Sequence, residues 1–442
     1  MAGGPMGGLM AAEDFDDGTR DVPGGVTGPV ERVLVAGAGI AGLTVANALT
    51  QAGVDCVVLE ARDRIGGRLH TADLDGAPVD LGGSWIHTPD GNPMRAFARL
   101  AGVPCRSANP TPEMAAFGQR EGRRLPDAET ADLLGLLDRF PDLLPELVDR
   151  LGADASDVSA AEAIEAFVAT DQTAGVDAVR ARQLLYAFVE AESACRVEQQ
   201  SLRWMWTEDE YIGDYFGDAP GGGYVSLVRA MAAGVDVRLG RPVAEIAVQP
   251  DGVRVLAADG AAEEGSHAVV AVPLGVLKRG HLRFSPELPP DRLAAIERLG
   301  FGRFEKVALK FAEPFWREAG FPHLMIFPRE PGEWMVWAMG LDSFSGDPVL
   351  VFFVFHSAAE RLAGAGPDAP VRWALGLLSE AIGRPAPDPI ATAVTAWADD
   401  PYTQGAYTHL PPGATPADAD LLGQPVGGRL LFAGEHTQHA RL

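Results

Sequence analysis

Basic residues are scarce in this chain. Thirty-six Lys and Arg stand against 61 Asp and Glu in 442 residues, a formal net charge of −25. Such a field repels phosphate backbones and anionic lipid headgroups, so neither nucleic acid nor an anionic membrane is expected as a partner, while a cationic ligand is mildly favoured. Cysteine is as sparse. Cys56, Cys105 and Cys195 are far apart, odd in number and in no CxxC spacing, which argues against a zinc site and against a disulfide framework; no metal is expected, and the thiols read as reduced and buried. No apolar run approaches the roughly 20 residues that cross a bilayer. The opening "MAGGPMGGLMAAEDFDDGTRDVPGGVTGP" lacks the basic start and apolar middle of a signal peptide, so residues 1–30 are expected to form a disordered leader and the protein to be cytoplasmic.

What is present is ordinary globular material. The chain is 47% hydrophobic and 22% charged, as folded proteins are, and its length suggests two domains around a shared core. The most informative stretch is "ERVLVAGAGIAGLTVANALTQAGVDCVVLEARDRIGGRLHT". Val33 to Ala36 reads as a short buried strand, Gly37-Ala38-Gly39-Ile40-Ala41-Gly42 fits GxGxxG, and Ile40 to Ala52 carries helical spacing. In such a turn Gly37 permits the tight bend, Gly39 lets the backbone approach a pyrophosphate, and Gly42 lets helix and strand pack closely. The helix N-terminus offers unpaired N–H groups and partial positive charge to the phosphates. A second strand, Cys56 to Leu59, ends in Glu60, at about the 20-residue distance where a ribose hydroxyl needs an acceptor.

The stretch that follows, Arg64-Ile65-Gly66-Gly67-Arg68, resembles the RxGGR signature of the FAD-dependent amine oxidase superfamily, in which the arginine approaches the FAD pyrophosphate. "VDLGGSWIH" (Val79 to His87) resembles the segment beside the flavin ring. "GGGYVSLVRAM", "RPVAEI", "AVPLGVL", "FGRFEKVALKFAEPFW", "AWADDPYTQGAY" and "LLFAGEHT" then follow in the family's order, so the resemblance covers residues 31–437. It implies non-covalent FAD held first by Gly37, Gly39, Ala41, Gly42 and then by Glu60, Ala61, Arg62, Gly67 and Arg68. Gly82, Gly83, Ser84 and Trp85 would lie along the cofactor, with Val243, Trp397, Gly434 and Glu435 completing the set. The expected fold is α/β plus α+β. A discontinuous Rossmann-like FAD domain (31–95, 220–288, 395–442) is threaded through a substrate domain of mixed sheet and helices (96–219, 289–394). Within the latter, 94–214 reads as mostly helical and "KVALKFAEPFW" and "VLVFFVFH" as strands; in the FAD domain "VDVRLGRPVAEIAVQPDGVRVLAADG" reads as hairpin strands.

Flavin-dependent amine oxidation needs a positioned, uncharged amine and a water-free site, with no nucleophile or metal. Lys306 matches the family's lysine that holds a water against flavin N5, where a cation also favours reoxidation by O2. Tyr407 matches one wall of the aromatic cage over the reacting face, and Ala406 stands where monoamine oxidases carry the cysteine that binds flavin covalently. His87 resembles the "WIH" histidine of polyamine oxidases and histone demethylases, and Glu190 a substrate-side carboxylate of polyamine oxidases. The acidic run Glu208-Asp209-Glu210 and Asp214 has the sign to steer a cation. The demethylases' helical tower has no counterpart here, so a histone partner is not expected. The resemblance implies a small-molecule amine, O2 as acceptor and a homodimer. An amino-acid oxidase, a related desaturase and a non-catalytic flavin protein stay open. The family continues past "LLFAGEHT" with a helix aimed at the flavin's N1/O2 edge and a second cage residue. The sequence stops at Leu442, and the expectation is FAD binding with slow reduction unless that helix is supplied from elsewhere.

Overall fold

The computed structural model describes residues 25–109, 114–118, 124–152, 158–170, 173, 175–206, 216–328 and 333–438. Most of the expected leader, and the acidic run Glu208 to Asp214, lie outside the described residues. Thr27, still within the expected leader, donates its N–H to the Gly428 carbonyl at 3.0 Å and accepts from His267 at 3.2 Å, so ordered chain begins ahead of residue 31.

Strand β1 (Arg32–Ala36), helix α1 (Ile40–Gln51) and strand β2 (Asp55–Leu59) follow one another as the glycine pattern predicts. β1 is the middle of a five-stranded, all-parallel sheet in the order 430–432, 267–270, β1, β2, 236–238. Covered on both faces, β1 reads as a continuous apolar run rather than an alternating one. Leu34 and Ala36 pack with Val57, Leu59, Ala268 and Val270 on one side. Val33 and Val35 pack with Leu43 and Ala46 of α1 and with Leu227 on the other. Each such side chain contributes about 1.5–3 kcal/mol by leaving water.

The hairpin reading of 235–260 holds in part. Val243–Gln249 and Gly252–Ala257 pair antiparallel, but Asp236–Arg238 joins the parallel sheet beside β2. Alternation marks a strand without naming its partner.

The second sheet has six strands in the order 391–394, 304–310, 349–355, 336–340, 323–327, 114–118. It is antiparallel throughout except for the last pair, which is parallel. Both faces are buried. Ala308, Met339, Val351 and Phe353 meet the helices spanning 127–193; Val307, Leu309, Leu350 and Phe352 meet those spanning 356–382. The predicted helices over 94–214 are present where the chain is described, at Pro93–Leu100, Asp127–Leu151, Ala160–Val168 and Ala178–Ser193. Together they build the α/β and α+β fold expected from the sequence.

Helix Pro290–Arg298, past the expected boundary at 288, packs Ala295 and Ile296 into the same core as Leu34. Its Arg292, 2% exposed, donates to three carbonyls around the end of helix Pro416–Gly423: Leu422 at 2.9 Å, Leu421 at 2.7 Å and Gln424 at 2.6 Å. Arg292→Met keeps the aliphatic stem and strands three acceptors; at about 1–3 kcal/mol for each buried group left unpaired, the apoprotein should lose at least ~2 kcal/mol in urea denaturation. An unchanged midpoint would show that water replaces the guanidinium there.

Candidate cofactor and substrate site

The glycine turn assigns each glycine a different task. Gly37 sits at φ 107°, and a Cβ there would press the Ala271 carbonyl oxygen at 2.9 Å. A Cβ on Gly42 would collide with the Gly37 carbonyl oxygen. Gly39 is different: its φ of −71° suits any residue, and a Cβ would meet nothing within 4 Å. The backbone does not need glycine at 39; the open space before the helix N-terminus does. Ala41 lies in the first turn of that helix.

Glu60 is buried at the end of β2 and accepts from the Ala38 N–H at 2.7 Å and the Arg62 N–H at 2.9 Å. Each oxygen keeps a lone pair for a further donor. Ala61 and Arg62 turn away from the sheet, and Arg62 forms a two-point ion pair with Asp400 at 2.7 Å. Arg241 donates its N–H to the Glu60 carbonyl at 2.7 Å, which brings Val243, two residues on, past the same corner. The RxGGR turn docks directly on the glycine turn. Gly66 donates to the Ala38 carbonyl at 2.8 Å, and Gly66 and Gly67 are both left-handed, at φ 99° and 57°. A Cβ on Gly67 would stand 3.3 Å from the Gly39 Cα. Arg68 then reaches the Ala406 carbonyl at 2.6 Å and Glu435 at 3.0 Å. Burial opposes the charge of Glu435, but Arg68, His436 and the Thr408 N–H outweigh it and hold the carboxyl below its usual range. Gly434, at φ 144°, makes room for the ring of His436, which lies against it. That imidazole is 1% exposed and neither nitrogen has a hydrogen-bond partner. Burial pushes it down to about 4, so it is neutral at pH 7.

The expected reacting end centres on strand 304–310. Glu305 and Lys306 are adjacent, so their side chains leave the strand on opposite faces. Lys306, 5% exposed, donates from Nζ to the carbonyls of Asp80 (3.1 Å) and Gly82 (2.6 Å) and to Ser84 Oγ (2.6 Å). Its ammonium stands 5.5 Å from the centre of the Trp85 ring and 5.2 Å from that of Phe353. Burial pushes it down to about 8, against the pull of Asp80. Glu305 accepts from Thr395 Oγ1 at 2.6 Å, the Trp397 N–H at 2.8 Å and the Ala398 N–H at 3.1 Å. Trp397 Nε1 in turn donates to the Leu81 carbonyl at 3.1 Å. Lys306, the segment Gly82-Gly83-Ser84-Trp85 and Trp397 therefore form one cluster.

Tyr407 joins it through Phe304, edge-on at 6.4 Å, but its hydroxyl is committed to the Glu192 carbonyl at 3.2 Å, and burial raises its phenol further. His87 is exposed and lies edge-on to Trp85, with ring centres 6.1 Å apart. Glu190 lines a cavity with Tyr186, Trp334, Met335 and Phe355. Its carboxylate accepts from Ser357 N (3.2 Å) and Oγ (2.7 Å), and so caps helix His356–Ala363. Cys56 and Cys195 are buried and Cys105 partly so, all unpaired. Among the described residues no group of His, Cys, Asp or Glu has a metal-binding arrangement, and no helix is long and apolar enough to cross a membrane.

Residues 40–441 match the family described as flavin containing amine oxidoreductase. The chain belongs to that family. Its cofactor is FAD, and the vacant approach at Gly39, the paired left-handed glycines facing it and the buried unpartnered His436 are consistent with a large polar ligand along this edge. The sequence is 34% identical, over 92% of its length, to lysine-specific histone demethylase 1 homolog 3 of Oryza sativa subsp. japonica. It is 33% identical over the same share to protein FLOWERING LOCUS D of Arabidopsis thaliana. The chain spans about half the length of these relatives, 51% and 52%. Among solved structures, cyclohexylamine oxidase from Brevibacterium oxydans IH-35A aligns with a TM-score of 0.75 at 25% identity, covering 92% of this chain and 94% of that one. A putrescine oxidase redesigned in its cofactor binding aligns at 0.73 and 24%, covering 93% and 95%, a likeness of fold.

Sequence reasoning missed Glu305, Asp400, Asp80 and His436. Glu305 carried a signal: a carboxylate inside an apolar strand must find donors, and those donors turn out to fix Trp397. The glycine turn offers a clean test. Gly39→Ala should leave apoprotein stability within about 0.5 kcal/mol and weaken FAD binding at least tenfold by fluorescence titration. Gly42→Ala should instead cost about 3 kcal/mol or more through overpacking. Equal loss of stability in both would remove the cofactor reading of Gly39.

Proposed function

We propose that this chain oxidises an amine at the carbon bearing nitrogen and passes the electrons to O2. Overall, RCH2NH2 + O2 + H2O gives RCHO + NH3 + H2O2. The observation that carries this reading is Lys306, a buried ammonium fixed by three acceptors on the Asp80–Ser84 segment beside Trp85. Bound FAD supplies the two-electron acceptor. The turn at Gly37, Gly39 and Gly42, Glu60, Arg68 and Glu435 would hold it, without a covalent bond given Ala406. Lys306 supplies positive charge in a dry site, where it acts more strongly than in water. Trp85, Phe304 and Phe353 exclude solvent around it and offer ring faces to an amine. Glu190 accepts from Ser357, and the Tyr407 hydroxyl donates to the Glu192 carbonyl. Tyr407 contributes a wall.

A second reading, favoured by the similarity to demethylase homologues, takes the amine from a methylated lysine side chain of a protein. Flavin bleaching without O2, followed by peroxide release on aeration, separates the two when small amines and a methyl-lysine peptide are compared. Small amines are expected to bleach. Bleaching by the peptide alone would move the assignment to the second reading, and bleaching by α-amino acids alone to an amino-acid oxidase.

The lysine adds a pH test. The ammonium is protonated below about 8 and neutral above it, so reoxidation by O2 should slow as pH rises through about 8. Lys306→Met should reoxidise at least tenfold more slowly, lose that pH dependence and still bind FAD. Stopped-flow absorbance reads all three; reoxidation in the variant at the wild-type rate would demote the lysine to a structural role.

A further inference from the structure

The strand register of the six-stranded sheet sets Lys306, Phe353, Trp337 and Met325 opposite one another across four neighbouring strands. Residues paired in this way lie on one face. The row starts at the ammonium beside Ser84 and runs away from it; Trp337 is two inter-strand spacings along, roughly 10 Å. Phe304 and Phe355 flank the row, their rings 5.2 Å apart, and Trp85 and Phe216 close over it, Trp85 at 5.7 Å from Phe353 and Phe216 at 6.1 Å from Trp337. Phe353 and Phe355 are buried beneath, while Trp85, Phe216, Phe304 and Trp337 all stay partly exposed. Such a wall is apolar and ring-rich, and beyond the Lys306 ammonium its polar atoms are the indole nitrogens of Trp85 and Trp337. Trp337 Nε1 is buried and has no hydrogen-bond partner.

We infer that the Trp337 indole N–H is a specificity-determining donor for the tail of the substrate, and that the substrate is an arylalkylamine bearing an oxygen acceptor at the end remote from the amine. This rests on the amine-oxidation reading. Indole N–H donates and cannot accept, so it offers nothing to a second ammonium and a great deal to an ether, phenol or carbonyl oxygen. The row places that donor at a fixed remove from the Lys306 end, with aromatic faces for a flat body between them. Glu190, the carboxylate expected to receive the far end of a polyamine, is held by Ser357, and Asp80 is held by Thr71 and the Tyr224 N–H. The row itself carries no carboxylate among the described residues.

Two probes of equal size isolate the donor: 4-methoxyphenethylamine and 4-ethylphenethylamine differ by oxygen for methylene. On the wild-type holoenzyme the methoxy compound should have a kcat/KM about tenfold higher, the factor expected when a buried donor is left unpaired by the other. Trp337→Phe keeps the ring and should bring that ratio to about one, through KM for the methoxy compound, with kcat for the ethyl compound and FAD content unchanged. A wild-type ratio near one, or a preference that survives in Trp337→Phe, overturns the inference. So does bleaching by putrescine or spermidine with neither aryl amine active, an outcome that leaves amine oxidation standing. No bleaching by any amine overturns the amine reading itself and this inference with it.

Discussion

Two opposite charges on neighbouring residues of one strand fix the relation between the two halves of the molecule. Lys306 gathers the carbonyls of Asp80 and Gly82 and the Ser84 hydroxyl on one face. Glu305 gathers Thr395 and the N–H groups of Trp397 and Ala398 on the other. The two captured segments then bond to each other, Trp397 Nε1 to the Leu81 carbonyl. Neither charge is cheap to bury: burial lowers the lysine and raises the glutamate. Each survives because its partners are fixed dipoles in place of water. On any strand the pleat sends neighbouring side chains to opposite faces. Here each becomes the hub of a separate hydrogen-bond set.

Around that hub the nucleotide half is rigid for a different reason. The glycine turn and the RxGGR turn are backbone against backbone, Gly66 on Ala38 and Gly67 against Gly39, with no side chain between them to repack. Arg68 extends this contact to Ala406 and Glu435, so a segment near residue 65, the loop at 406 and the turn at 435 share one guanidinium. Arg62 and Asp400 repeat the arrangement one layer out.

Much of this was legible in the sequence where the signal is local. The GxGxxG turn, β1, α1, β2 and the buried strands 304–310 and 349–355 follow from spacing within a dozen residues, and the structure has them there. What was not legible depends on partners far along the chain. Glu190 reads as a substrate-side carboxylate until Ser357 meets it. Asp236–Arg238 reads as half of a hairpin until β2 claims it. Composition and period report which residues seek burial or a partner. They do not report which partner arrives.

The order of the parallel sheet has a consequence for how the chain is made. β1 is flanked by β2, which leaves the ribosome soon after it, and by strand 267–270, which in turn needs 430–432 at its outer edge. At about 5–20 residues per second of synthesis, β1 waits on the order of ten seconds or more for its second neighbour, and the sheet waits tens of seconds for its last strand. Through that interval a strand apolar from Val33 to Ala36 has an open hydrogen-bonding edge. The glycine turn between β1 and α1 is thus made early, and the sheet that carries it is completed late.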